Sequence, residues 1–234
     1  MAPLLGLGIP VIEDACQSVG VSRGGAFAGT VGRAGAMSFN GGKNLPCGEG
    51  GALVTNDGKI AEKARLMMNH AENFGTEWVG LNYRMTELEA CVARHGLRAL
   101  DKRNRRRIEL VSALEDALGE FADPMEETEW DLEIEPPVWP VDGSHVYYVT
   151  PFLLEKCVSR AKFIKRCAKR GITVGAGYID PILSSYPAFR KFAKHDCPVA
   201  RELAKKTLCL LSCVRPPATL EDMEFVADVL RRSV

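Results

Sequence analysis

"SFNGGKNLPCGEGG", residues 38–51, sets a single lysine, Lys43, behind one glycine pair and ahead of another. Glycines let backbone approach a ligand closely and adopt positive φ at little steric cost, so the loop is suited to a group that needs room. Backbone amides could cradle a phosphate with Lys43 as counter-charge. Alternatively, an uncrowded ε-amine could make a covalent bond to a carbonyl. The bland alternative is a surface turn with a solvated lysine. A nucleotide P-loop is excluded, because that pattern needs glycine and serine or threonine where Met37 and Asn44 stand.

Outward from the loop, the flanking segments read as strands. "AGAMSF" (34–39) and "GALVTN" (51–56) enclose it, and "GIPVIED" (8–14) is a β-branched run ending in two carboxylates. Acids at the C-terminal end of a buried strand lie where open α/β sheets place their ligands. A helix is predicted from Asp57, as N-cap, to about Asn69. A longer one starts at Thr86, with Glu89 as its capping-box partner, and runs to about Leu118 with Gly96 weakening its middle.

After Gly119 the composition changes. The acidic, proline-bearing stretch 123–140 reads as a connection and edge region. Beyond it, "HVYYVTPFLL" (145–154) is strand-like and "RAKFIKRCAKRG" (160–171) is a helix closed by Gly171. "ITVGA" (172–176) is a strand, and "TLEDMEFVADVLRRS" (219–233) is a final helix capped by Thr219. This order predicts two domains, residues 1–118 and 119–234, the second a small α+β unit.

Composition bounds the function. Thirty basic residues balance thirty acidic ones, so no overall field favours nucleic acid or an anionic membrane. The basic run "KRNRRR" (102–107) lacks interleaved aromatics and reads as a solvated helix face. No apolar run has the length of a membrane span, and the first residues do not resemble a signal peptide; a cytoplasmic protein is expected. The eight cysteines form no C-x-x-C pair and no zinc-like spacing, so they are expected to be reduced, mostly core thiols, with no metal site.

Four segments then combine. "EDACQS" (13–18), "SFNGGKNLPCGEGG" (38–51), "GLNYRMTELEA" (80–90) and the pattern from "HVYYV" to "TLEDM" occur in one order. Together they resemble the DegT/StrS family of pyridoxal-phosphate-dependent sugar aminotransferases, which have the type I aspartate-aminotransferase fold. The resemblance spans nearly the whole chain from Gly8. It implies an α/β fold class: a partial type I large domain, a mostly parallel sheet with helices, followed by a small α+β C-terminal domain.

The resemblance also implies roles. Lys43 matches the Schiff-base lysine and Asp14 the carboxylate at the cofactor's ring nitrogen. A unit charge pair at roughly 4 Å and an effective dielectric near 20 is worth about 4 kcal/mol, enough to keep such a nitrogen protonated. Gln17 matches the side chain lying over or beside the ring, and Ser38 a phosphate-binding hydroxyl. Asn82 matches a phosphate ligand donated from the opposite subunit. Glu49 belongs to the motif without a derivable role, and Arg84 is a candidate salt-bridge anchor of the Asn82 loop.

The implied reaction moves an amino group from glutamate or glutamine to a keto sugar, usually nucleotide-linked, or to a keto cyclitol. The retained lysine speaks against the dehydratase branch, which replaces it. Asn40 and Gly41 stand where many members carry histidine or a bulkier residue, and Gly96 replaces a common glutamine. The segment that precedes Asp14 in family members supplies further phosphate donors and a ring stacked on the cofactor, and none of these is found in this sequence. The expectation is therefore an oligomeric or partner-bound chain that binds cofactor weakly alone. A half-enzyme needing an N-terminal complement and a non-covalent phosphate-binding module are the alternatives.

Overall fold

The computed structural model describes residues 2–72, 77–119, 134–135, 145–154, 159–176, 182–193, 197–202, 204 and 208–233. The chain divides into two compact units, Met1–Arg105 with Pro140–Tyr148, and Arg106–Trp139 with Val149–Val234.

The first unit holds α1 (Ala2–Leu5), β1 (Ile12–Asp14), β2 (Ser22–Arg23), β3 (Ala26–Phe27), β4 (Ala34–Ser38), β5 (Gly51–Val54), α2 (Gly58–Met68) and α3 (Glu87–Arg98). α4 (Leu100–Gly119) begins in it. Its main sheet has the order β1-β4-β5. β1 runs parallel to β4, pairing Asp14 with Ala36, while β5 runs antiparallel to β4, pairing Gly51 with Ser38. This sheet is therefore mixed. The register sets Asp14 at the end of β1 and Ser38 at the end of β4, with the lysine loop joining β4 to β5.

β1 is shorter than its apolar run, because Gly8 takes φ 69° and the residues before Val11 form a turn. Glu13 explains why the run ends in two acids. Its carboxylate accepts backbone N–H bonds from Gly29 (3.0 Å), Val31 (2.7 Å) and Gly32 (2.6 Å), clamping the β3–β4 connection against β1. That connection passes so close to β4 that a Cβ on Gly35 would lie 2.1 Å from the Gly29 carbonyl oxygen. Beneath the lysine loop, Leu45, Val19 and Leu100 form a buried cluster against which Met37 and Phe39 pack.

Helix boundaries follow local chemistry. Asp57 caps α2 by accepting from the N–H groups of Lys59 and Ile60, and Thr86 with Glu89 forms the capping box of α3. The long helix breaks at Ala99, not at Gly96. Gly96 is buried, and a Cβ there would meet Leu45 Cδ1 at 2.9 Å, so glycine answers a packing demand.

The second unit carries the remainder of α4, β6 (Ile134–Glu135), β7 (Thr150–Leu154), α5 (Arg160–Lys169), β8 (Val174–Gly175), a 3₁₀ turn (Leu183–Ser185), α6 (Pro187–Arg190), α7 (Pro198–Glu202), β9 (Leu208–Leu211) and α8 (Glu221–Arg231). Its sheet has the order β6-β7-β9-β8 and is antiparallel throughout. The stretch 145–154 is strand only from Thr150, since Tyr147 adopts φ 45° and interrupts extension. Ile134 and Glu135 do form an edge strand, whereas the rest of 123–140 lies outside the described residues. Met223, Val226, Ala227 and Leu230 bury one face of α8 at helical spacing. Thr219 caps it reciprocally with Asp222, whose N–H reaches the Thr219 hydroxyl while its carboxylate accepts the Thr219 N–H. Phe152 and Phe163 meet edge to face with ring centroids 6.1 Å apart.

Of the six cysteines whose surroundings are described, Cys47 and Cys167 are buried, Cys16 and Cys213 half-buried, and Cys91 and Cys197 exposed. The expectation of mostly core thiols is therefore corrected for these six: spacing alone carries no burial information. No helix among the described residues is long and apolar enough to cross a membrane.

Candidate active site around the lysine loop

Asn40 organises the loop. Its Oδ1 accepts the N–H of Gly42 (3.0 Å), its carbonyl accepts the N–H of Lys43 (2.9 Å), and its Nδ2 donates to Glu49 Oε1 (2.6 Å). An isolated bridge between Asn40 and Gly48 closes the loop at its base. Glu49 thus has a place that its motif did not reveal: it receives the side chain that shapes the turn before Lys43. A Cβ on Gly41 would find only the Gly48 carbonyl within 4 Å, and one on Gly42 only Asn40 Oδ1 and Tyr148 Oη. The space beside the lysine is open.

Asp14, exposed at the end of β1, accepts the N–H of Cys16 at 3.1 Å. Hydrogen bonding from the Cys16 side chain and then from its backbone N–H, aided by the positive charge of Lys43, holds the Asp14 carboxyl below its ordinary range. The Cys16 thiol is correspondingly pushed up, first by Asp14 as hydrogen-bond partner and then by burial. The carboxylate and the lysine, supplied by β1 and by the β4–β5 loop, therefore lie within electrostatic reach of each other. Cys16 is a participant that the sequence did not signal, because a lone cysteine beside an aspartate has no diagnostic spacing.

Ser38 is half-buried where β4 ends, and its hydroxyl lies 3.4 Å from the N–H of Asn40. Gln17 is exposed in the turn after Asp14. Asn82 belongs to a different piece of structure, an antiparallel bridge to Asn69 at the C-terminal end of α2. Arg84 anchors that loop not by the expected salt bridge but by hydrogen bonds to neutral amides, from Nε to Asn82 Oδ1 (3.1 Å) and from Nη1 to Asn69 Oδ1 (3.0 Å).

Two further residues complete the surroundings of Lys43. The Lys43 Nζ stands over the ring of Tyr148, 4.3 Å from its centroid. Asn44, only 5% exposed, sends its Nδ2 to Asn104 Oδ1 and to the carbonyl of Val146, while Asn104 donates to the carbonyl of Val19. Asn44 and Val146 are 102 residues apart, so no local pattern could have joined them.

The model of the DegT/DnrJ/EryC1/StrS aminotransferase family matches residues 6–231. The dTDP-3-amino-3,4,6-trideoxy-alpha-D-glucose transaminase of Streptomyces venezuelae is 39% identical over 108 residues, 45% of this chain and 28% of that protein. The UDP-N-acetyl-3-dehydro-alpha-D-glucosamine 3-aminotransferase of Acidithiobacillus ferrooxidans is 28% identical over 233 residues, 97% of this chain and 58% of that protein. Among solved structures, S. venezuelae DesV superposes with a TM-score of 0.81 at 28% identity, covering 97% of this chain and 58% of DesV. The chain thus spans less than two thirds of the length of each of these relatives.

Proposed function

Because the chain belongs to the DegT/DnrJ/EryC1/StrS aminotransferase family, we propose that it serves in a pyridoxal-phosphate-dependent sugar aminotransferase whose cofactor site is built on Lys43 and Asp14. The observation that carries this reading is a lysine in an open, glycine-lined loop whose positive charge acts on the Asp14 carboxyl. That donor set suits the cofactor, whose cationic ring nitrogen and carbonyl carbon call for a carboxylate and an amine respectively.

Lys43 would hold the cofactor covalently through Nζ, and Asp14 would hold the proton on its ring nitrogen. Gln17 would lie against the ring, while Ser38, with Asn82 contributed across a dimer, would bind the phosphate. When bound, pyridoxal phosphate supplies an electron sink for bond changes at the amino-bearing carbon. When not covalently engaged, Nζ of Lys43 would be the group that carries a proton to or from the amino-bearing carbon. Asp14, held below an ordinary range that already lies well under neutral pH, presents a charged carboxylate there.

The names of the relatives support a nucleotide-linked keto sugar as acceptor; the amino donor in this reading is glutamate or glutamine. The first unit, with the lysine loop, would be the cofactor-binding domain, and the second the small domain.

The test is borohydride reduction of the protein in the presence of pyridoxal phosphate, followed by peptide mass mapping. Covalent label on Lys43, absent from Lys43→Ala, is expected. Saturable binding of pyridoxal phosphate without any trapped label would instead favour a non-covalent phosphate-binding loop.

A further inference from the structure

Lys43 is held from a direction that its own loop does not provide. Its Nζ sits over the face of Tyr148, and a Cβ on the preceding Gly42 would lie 4.0 Å from the Tyr148 hydroxyl. The tyrosine ring therefore lies alongside the glycine–lysine turn. It is kept there by two features. Asn44, buried and adjacent to Lys43, donates to the carbonyl of Val146, two residues before Tyr148. Between them, Tyr147 takes φ 45°, with its N–H bonded to Nδ1 of His145 and its ring edge-on to that imidazole at 4.5 Å. A non-glycine residue persists in this conformation only where its surroundings determine it, and such positions gather at functional sites.

From this geometry we infer that Tyr148 is a positioning residue for Lys43, giving the ε-amine a fixed seat when it is not covalently engaged. An aromatic face attracts a cation through its quadrupole and at the same time restricts the lysine's long, rotamer-rich stem. The glycines leave the lysine free to move; the tyrosine restricts where it rests. The inference rests on the reading of Lys43 as the covalent residue.

Two readouts on the full chain separate this role from a merely structural one. The first needs no cofactor. Lysines are dimethylated with ¹³C-formaldehyde, and the Lys43 signal is assigned by its absence in Lys43→Arg. Ring-face packing should displace that signal upfield in the wild type and in Tyr148→Phe, and Tyr148→Leu should return it to the position of the exposed lysines. A wild-type signal already at that position overturns the inference, whether or not Tyr148→Leu folds. The second readout is the rate of borohydride-trappable capture of pyridoxal phosphate. Tyr148→Leu should speed it about two- to fivefold, since a contact made only by the unengaged ammonium stabilises the state before capture, and Tyr148→Phe should keep the wild-type rate. In the Lys43→Ala background, Tyr148→Leu should leave the Kd for pyridoxal phosphate unchanged. A weakened Kd in that background would show that Tyr148 acts directly on the ligand or on the fold, and would overturn the role. Absence of any Lys43 adduct in the wild type removes the covalent reading and this role with it, an outcome distinguishable from a missing ring-shifted signal.

Discussion

The side-chain amide of Asn44 donates to the carbonyl oxygen of Val146 across 2.9 Å and to Asn104 Oδ1 across 3.0 Å, tying the residue after Lys43 to two separate segments. Asn104 is 5% exposed and Val146 3%, so neither acceptor could turn readily to bulk water. Asn44→Ala should lower stability by about 2–4 kcal/mol, because two buried acceptors lose their donor. The urea midpoint of unfolding measures this. An unchanged midpoint would mean that water replaces the amide.

Glu13 provides a pH-dependent test of the fold. Burial alone would raise its carboxyl, but the amides of Gly32, Gly29 and Val31 outweigh that and hold it lowered. A lowered folded-state value makes the contribution complete above the unfolded value of about 4.5 and lost as pH falls through the lower folded one. Glu13→Gln should cost about 1–2 kcal/mol at neutral pH and flatten the acid limb of the stability profile. Parallel acid limbs for the two proteins would remove Glu13 from that account.

Asp14 and Cys16 make a prediction about activity. The Cys16 side chain and N–H, with the charge of Lys43, keep Asp14 lowered, so its charge persists as pH falls until the lowered value is reached. Cys16→Ala removes the largest of these contributions and should shift the acid limb of kcat toward higher pH while leaving the neutral plateau in place. Asp14→Asn should reduce turnover about a hundredfold or more, with Lys43 still labelled by trapped cofactor. Turnover of Asp14→Asn equal to the wild type would exclude the ring-nitrogen role. An unmoved acid limb in Cys16→Ala would show that the thiol does not tune the carboxylate.

How much of this could be read from the sequence depended on whether the cause was local. Asp57, Thr86 with Glu89, and Gly171 announced helix ends because capping acts over three or four residues. β4 and β5 were legible from short apolar runs on either side of the glycine loop. β9, the strand between β7 and β8, passed unnoticed, since the four residues "LCLL" carry too little pattern to separate strand from helix. The break at Ala99 escaped for a different reason: glycine's low propensity pointed to Gly96, but a Cβ there would press on Leu45 Cδ1 at 2.9 Å, so packing favours glycine inside an unbroken turn. At the site, Asp14 and Lys43 came from motif order. Tyr148 and Asn44 became visible only once chain folding had brought residues 102 apart into contact.

The Asn40–Glu49 bond gives the last prediction, because it separates the shape of the lysine loop from the chemistry of the lysine. Asn40 fixes the loop through Gly42 and Lys43 on one side and Glu49 on the other, yet it is only half-buried. Removing it therefore leaves one donor, the Gly42 N–H, and one acceptor, the Glu49 carboxylate, both on exposed residues that water can reach, and Asn40→Ala should lower global stability by less than about 1 kcal/mol. Loop order is another matter: without the side chain, the N–H of Gly42 loses its acceptor and the connection to Glu49 opens. Amide exchange at Gly42 and Lys43 should then speed up, and capture of pyridoxal phosphate by Lys43 should slow about tenfold, since a covalent step is sensitive to the placement of the attacking nitrogen. Glu49→Gln keeps an acceptor for Asn40 Nδ2 and should stay close to wild type, which distinguishes loop shaping from a requirement for the charge. If Asn40→Ala exchanges faster at Gly42 but captures the cofactor at the wild-type rate, a fixed loop is not what positions Lys43, and the tyrosine seat would have to account for it alone.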